Sequence, residues 1–577
     1  MKRTLPLSLI LCIILSLFGC SNNNSDSDTS KNLIDYLEDN FEDEISQYNE
    51  KVERDFYSSL FTSGDGTNEN PYIIYTAEEL KNFASILNDP QNNYHFRGIH
   101  IKLGNDIRLN DTAAENWTDS AEEWIPIGIS FFQSFQGTFD GADYTIYGLY
   151  STTGGLFNIL RDGMLKNLSI KDSYITAAED AYCGAFVNFA DFSTIENCVN
   201  YATVFGNGIA GGTNHIITNC INYGDVSRSQ SNIVECGGIV GINDGTITNC
   251  TNYGKISAFR AGGIAGKSNK TIENCYNEGE VSGDQTGGIL VFGSAKNCHN
   301  SGKVIGTDYA SGIVYMGSAE YCSNFGTVTA KDASGIAHSI SGSIINCHNS
   351  GTIVGKQIAS GIASNNSEKD YISYSYNTGK ITATDELANS SGIVDQNFGT
   401  VDACCNMGEI YANHAVGISQ INAGTITNCY NSGTIRGEYA SGICYMNGAE
   451  FSDGNIIKGT VSCCFDIGVE EGNKTKHIAF LDLGNSRIMN CYFLDESVLD
   501  DDFISGDPNE GPITVTETIL DKDKKPINDE TRIRVRGLSK EHFKDKSVFR
   551  EFDFKKYWKM NDDGDFEHPI LIMQTEE

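Results

Sequence analysis

Two stretches set a thiol beside an imidazole and an amide: Cys298-His299-Asn300 and Cys347-His348-Asn349. A thiol protease needs these groups converging from separate parts of a fold. Here they are neighbours in sequence, and elsewhere Ile, Thr, Tyr or Ser holds the His position, so a nucleophilic role is not expected. None of the 10 His residues is followed by Glu, which removes the His-Glu-x-x-His zinc pair. No Cys-x-x-Cys spacing offers a zinc cluster. Asp562, Asp563 and Asp565 lack the full spacing of a calcium loop and read as a solvated turn. No acidic pair recurs at one position, as stacked catalytic carboxylates would require. These residues predict no catalytic group, no metal site and no cofactor. The aromatics are the remaining lead. Tyr201, Tyr223 and Tyr253 fill the same place in three successive repeats, Phe325 fills it later, and Tyr276, Tyr376 and Tyr430 fill a neighbouring place. Such rings could stack on sugars or anchor a protein partner. They could equally cover a corner of the fold.

The repeats that carry these rings run from Cys198 to about Cys491. One recurring word is Gly-Ile, as in Gly263-Ile264, Gly288-Ile289 and Gly312-Ile313. The other is Cys-x-Asn-x-Gly, as in Cys250–Gly254, Cys275–Gly279 and Cys298–Gly302. The copy at Ser375 lacks the Cys, the copy at Cys198 lacks the Gly, and the copy at Cys464 has Asp466 for Asn. The period, mostly 22–30 residues, signals a solenoid. Within Gly262–Val281 the apolar residues fall in three short bursts, each bounded by Gly or Asn. Three short strands per turn describe a right-handed parallel β-helix of about eleven or more coils. Ile264, Ile272, Cys275 and Val281 should point inward. Ile272 and Cys275 are an odd number apart, so the chain must bend at Asn274, in the left-handed conformation that Asn tolerates. The Gly that closes each word is expected to do the same at the next corner. Stacked coils put identical residues about 4.8 Å apart, so the repeated Asn should form an amide ladder. Alternating charges at Asp225, Lys255, Glu280 and Lys303, and at Glu273, Lys296 and Glu320, suit neighbouring rungs.

Most of the 18 Cys occupy the repeat slot. Their Cβ vectors would run parallel, so a buried file of thiols is expected, without a full set of disulfides.

The ends differ from the middle. Lys2 and Arg3 precede an apolar run, Leu5 to Phe18, too short to span a bilayer and shaped like a signal peptide. Its end, Leu17-Phe18-Gly19-Cys20, resembles the lipobox of bacterial lipoproteins, which implies a lipid on Cys20. Residues 1–20 are thus read as leader and 21–31 as a flexible tether. Residues 32–60 carry apolar positions at helical spacing and form an amphipathic helix, serving as stalk or lid. Residues 61–160 form an N-terminal cap and first coils, with Thr76 and Glu79 as a capping box. Repeats then occupy 161–495. An aromatic C-terminal cap occupies 496–577 and should fold over the last coil near Cys491. The order IHIKLGNDIRL, WIPIG, FQGTFDGADYTIYGLY, GGLFNIL, then Gly-Gly-Ile repeats, resembles the GLUG-motif proteins of bacterial surfaces. Their repeats also accompany M26-type immunoglobulin A peptidases. The resemblance spans roughly Phe61 to Leu571 and implies architecture. The peptidase activity does not carry over, because the zinc motif is missing.

The 76 acidic and 41 basic residues give a net charge of −35, which would repel a phosphate backbone, so nucleic acid is not an expected partner. The sequence is read as an exported, membrane-anchored surface lipoprotein, non-enzymatic, acting as an adhesin or binding module for glycan or a host surface protein. A structural spacer or surface-layer component is the alternative, and a glycan-degrading β-helix enzyme a second one.

Overall fold

Each coil is made of short strands because the sequence forces corners. The residue before the Cys slot adopts positive φ in coil after coil: 55° at Asn249, 53° at Asn274 and 50° at Asn297. Tyr321, Tyr374, Ala403 and Cys463 take the same conformation at the same slot, so the stacked rungs impose it even where Asn is lost. The Gly that closes the word behaves differently from the expectation. Gly279 is not left-handed. A Cβ there would lie 2.0 Å from the Gly254 carbonyl oxygen. The slot demands Gly because two rungs approach closely, not because the turn needs positive φ.

In the computed structural model the described residues are 56–92, 95–113, 117–229, 234–450, 452, 454–483, 486–495, 519, 525, 533–561 and 567–572. The leader with Cys20, the 21–31 tether, most of the 32–60 helix, and Asp562, Asp563 and Asp565 lie outside them. The described chain is a parallel β-solenoid of about 16 turns. One continuous sheet runs from Tyr72–Ile74 to Ile533–Leu538, and a second from Tyr150–Ser151 to Lys474–Lys476. The pairing crosses position 160 without a break, since Phe157–Arg161 pairs with Val187–Asp191. Among the described elements the antiparallel pairs are local hairpins, Ala449–Glu450 with Ile456–Ile457 and Trp558–Asn561 with His568–Leu571.

The interior is a set of files along the axis. Ile247, Ile272 and Ala295 stack in register, and Ile264, Ile272, Cys275 and Val281 are all fully buried. The slot cysteines are buried thiols, as are the described cysteines outside the slot. Burial pushes the Cys183 and Cys236 thiols up to about 12. Beside the thiols the amide ladder runs unbroken from Asn200 to Asp466. Each Asn donates its Nδ2 to the Oδ1 one coil on, at 2.7–2.8 Å. Most also donate to the carbonyl two residues along, as Asn324 does to Gly326 at 3.0 Å. A second ladder, Asn366–Asn397–Asn422–Asn447, ends on Asp482. Outside, Lys255 pairs with Glu280 at 2.8 Å and Lys296 with Glu320 at 2.9 Å.

The N-terminal end is covered. Helix Ala77–Asn88 has the capping box of Thr76 and Glu79 and buries Leu80, Phe83, Ala84 and Leu87. Phe83 meets Phe96 and Phe135 edge-on, and Tyr57 stacks on Phe96 at 4.3 Å. At the other end Ile533–Leu538 adds one more parallel strand beyond Arg487–Leu494. The aromatics that follow do not sit on the axis. Phe543, Phe549, Phe552 and Trp558 pack on the flank of several coils, against Cys405, Tyr430, Phe465 and Tyr492.

Candidate functional site: a re-entrant corner

The seven ring positions singled out in the sequence lie on one flank but do not make one platform. Tyr201, Tyr223 and Tyr253 stack face to face at 4.9 and 4.8 Å, with planes within 7°. The faces between them are therefore spent on one another, and the three residues remain 41–45% exposed. Tyr276 belongs to the adjacent file and stacks on His299 at 5.4 Å. Phe325, 51% exposed, lies between His299 and His348. The file continues from His348 to Tyr376 at 5.0 Å, and then to Tyr430, Phe465 and Tyr492 beneath the C-terminal segment. His299, which the sequence reading set aside as a catalytic group, is held below its ordinary value by burial.

A second arrangement, which periodicity alone did not show, lies where the chain turns through the Ser-Gly-Ile words. The strand before the turn carries the file Tyr309, Asp332, Ile358, Asn389, His414, Tyr439. The strand after it begins with residues in register at Val314, Ala337, Ala363, Val394, Ser419 and Cys444. The next residues form the facing file Tyr315, His338, Ser364, Asp395, Gln420, Tyr445. Side chains of the two files touch across the turn, so this corner folds inward. Tyr309 lies 4.5 Å from the His338 ring, which is parallel to Tyr315 within 9°. Further along, His414, Tyr439, Tyr445 and Phe480 form a second ring cluster. Between the clusters Ser364 is small, and the polar groups are short of partners. Asp332 Oδ1, His338 Nδ1, Asp395 Oδ1 and Gln420 Oε1 are buried with no hydrogen-bond partner in the protein. Burial, helped by the Asp332 charge, pushes Asp395 up to about 7. Burial also raises Asp332, with Asp308 adding to it against Lys331, and holds the His338 imidazole neutral, down at about 4. Unsatisfied buried polar atoms cost free energy, and this corner gathers several of them in neighbouring coils.

Metal-donor geometry occurs at one place among the described residues. Asp466, Glu470 and His477 bring their donor atoms within 4.8 Å of one another in the last full coil. His477 Nδ1 is 2.7 Å from Asp466 Oδ2 and 3.0 Å from Glu470 Oε2. Burial pushes Glu470 up, and the neighbouring Asp466 adds to it. Burial opposes charge on His477, but its hydrogen bonds to the two carboxylates outweigh that and raise it. The Asp466 departure is visible in the repeat; Glu470 and His477 were not picked out.

No known family profile matches the chain. A 125-residue stretch is 38% identical to a "Putative Gly-rich membrane protein" of Evansella cellulosilytica, covering 21% of this chain and 13% of that one. A 157-residue stretch is 29% identical to Halomucin of Haloquadratum walsbyi, covering 26% of this chain and 2% of that one. The chain thus spans a small part of the length of the curated relatives it matches. Among solved structures, a "putative immunoglobulin A1 protease" from Bacteroides ovatus aligns over 89% of this chain and 96% of its own, with 16% identity and a TM-score of 0.22.

Proposed function

We propose that this chain is a cell-surface, lipid-anchored β-solenoid that binds neutral glycan along the re-entrant corner. One observation carries the reading: two ring clusters bracket a row of buried polar atoms that lack partners. Sugars offer both complements, with C–H faces for Tyr and hydroxyls for Asp, Gln and His. The net charge of −35 disfavours polyanionic glycans, which selects neutral ones. Surface placement draws on the Cys20 lipobox and on the local similarity to a protein named for the membrane. The test is a panel of neutral oligosaccharides against the full chain, with Tyr439→Ala and Gln420→Ala. Both variants should weaken binding about tenfold or more, while Tyr223→Ala leaves it unchanged. A chain that binds no glycan would fit the spacer reading instead.

A second reading, glycan cleavage, is favoured by the raised carboxyl groups of Asp395 and Asp332 in the same corner. A protonated and an ionised carboxyl together supply general acid and base. Release of new reducing ends, abolished by Asp395→Asn, would select it over simple binding.

A further inference from the structure

Three repeat slots change residue type in the same coil, and the three new side chains meet. The Asn slot of the ladder becomes Asp466, which pairs in register with Asn431. The inward aliphatic slot, Ile381, Ile410 and Ile435 in preceding coils, becomes Glu470. The Gly slot becomes His477. Its carbonyl takes the place that the Gly442 carbonyl holds in the coil before, 2.0 Å from a Cβ built on Gly417 and 2.3 Å from one built on Gly442. A side chain fits at His477 because the following coil offers Phe493 in the Asn slot, and the imidazole stacks on that ring at 4.6 Å and 9°.

An ending for the ladder explains only part of this. Asp466 Oδ1 accepts from Asn431 at 2.8 Å and from the Gly468 N–H at 3.1 Å, and His477 balances its charge through Oδ2. Glu470 is superfluous to that arrangement. It puts a second carboxylate where an isoleucine would pack, with its side chain 3% exposed and Oε1 without a partner. Glu470 brings a second carboxyl group to one imidazole, and only one of its oxygens finds a partner there.

We infer that Asp466, Glu470 and His477 form a binding site for a zinc-class divalent cation. The ligands would be Asp466 Oδ2, the Glu470 carboxylate and His477 Nδ1, the cation taking the place of the proton that Nδ1 now shares with both carboxylates. One nitrogen and two carboxylate oxygens suit zinc, whereas calcium and magnesium prefer all-oxygen shells. Tetrahedral zinc with bonds of about 2.0 Å sets its donors roughly 3.3 Å apart, a small opening from the 2.7 and 3.0 Å seen here. The stack on Phe493 fixes the imidazole plane. Three protein ligands leave one position for water or a ligand group, and His477 is the exposed member of the set, at 33%.

The test is calorimetric titration of chelator-stripped full-length protein with Zn²⁺ alone, repeated with Ca²⁺. One equivalent of Zn²⁺ should bind and raise the melting temperature, and Ca²⁺ should not. Glu470→Ile restores the residue type of the preceding coils, so it should fold as well as the parent yet bind Zn²⁺ about 100-fold or more weaker. His477→Gly should likewise weaken Zn²⁺ binding, but at a cost in stability, because it leaves the Asp466 and Glu470 carboxyl groups buried without their imidazole partner. Absence of saturable Zn²⁺ binding by the parent would overturn the assignment. Equal binding by parent and Glu470→Ile would overturn it too, placing the metal on other side chains.

Discussion

The amide ladder has a direction, and reversing one member should expose it. All the Asn side chains donate toward the C-terminal end, and the last acceptor is Asp466, which when ionised can only accept. Asn324→Asp keeps the shape of the side chain and its ability to accept from Asn300. It removes both donations of the amide, to Asn349 Oδ1 at 2.8 Å and to Gly326 O at 3.0 Å. Two buried acceptors lose a donor, at about 1–3 kcal/mol each, so the variant should lose about 2–6 kcal/mol locally. Facing the new carboxylate, Asn349 Oδ1 would meet an acceptor instead of a donor. Solenoid stability is a sum of neighbouring coil contributions, so the loss should concentrate in adjoining coils. Hydrogen–deuterium exchange read by peptide is the suitable assay. Peptides spanning Cys298–Gly351 should exchange about 30-fold or more faster, while those near Ile217 keep parental rates. The effect also has a sign in pH. Burial and the facing acceptor raise the new carboxyl above its unfolded value, so the penalty is present at neutral pH and shrinks as pH falls through the folded value. Protonation restores an O–H donor. Relative to the parent at each pH, protection should therefore recover on acidification. Unchanged exchange at neutral pH, or a defect that deepens on acidification relative to the parent, would refute the directional ladder.

Other outcomes follow from the same coordinates. A thiol reagent should label the slot cysteines of the native chain slowly and of the unfolded chain completely, because they are fully buried. Cys275→Ser should cost no more than about 1 kcal/mol; at the same slot Ser375 donates to Ser373 O at 2.9 Å and accepts from the Cys347 N–H, so a hydroxyl there finds partners. Asp395, raised to about 7, binds its proton more tightly folded than unfolded, so its contribution is present at acid pH and lost as pH rises from about 4 to 7; chemical denaturation of Asp395→Asn should lack that decline, up to about 4 kcal/mol. Trp558→Ala should release the C-terminal segment to protease, since the indole is fully buried and such truncations cost about 3–5 kcal/mol. Cys20→Ala should free the chain from the membrane fraction, and unchanged association would refute the lipobox reading.

The fold was legible because a stacked coil repeats its physical requirements. The bend at Asn274, the inward Cys275 and the charge pair Lys255–Glu280 each follow from period-two alternation and a spacing of about 4.8 Å. The role of Gly279 was misread because conformational freedom and lack of a Cβ leave the same trace in a sequence. Contact with the Gly254 carbonyl is visible only when two rungs are superposed. The corner of Tyr309, Asp332 and Asp395 was hidden for a related reason. Alternation says which residues face outward, but not that the angle between two strands turns their outer faces toward each other. The Tyr201–Tyr253 stripe was legible as a stripe; that its inner faces are mutually occupied depends on the ring planes.

In a solenoid the repeat and the site are written in opposite ways. Each consensus residue answers a demand made by the coils above and below: Asn for the ladder, Gly for the close approach, Ile for the interior. A residue that breaks one slot alone should be destabilising, because its neighbours still make the old demand. Asp466 in mid-ladder would strand the next Asn, but the following slot holds Phe493 and asks for nothing. Glu470 in the aliphatic file would be a buried charge without an opposite one, but His477 lies 3.0 Å away. His477 in the Gly slot would collide with the next Asn, but Phe493 provides a ring to lie against. Asp466 and His477 are tolerated because Phe493 follows, and Glu470 because His477 is beside it, so chance drift at one position does not produce the set. The same reasoning separates the corner from its surroundings. Asp395 and Gln420 stand in a file that elsewhere uses Gly241, Gly266 and Val291, and they leave buried atoms unpaired where those residues would leave none. A fold assembled from mutually satisfied rungs has no structural use for unsatisfied ones, which is why these coils are where a ligand should be sought.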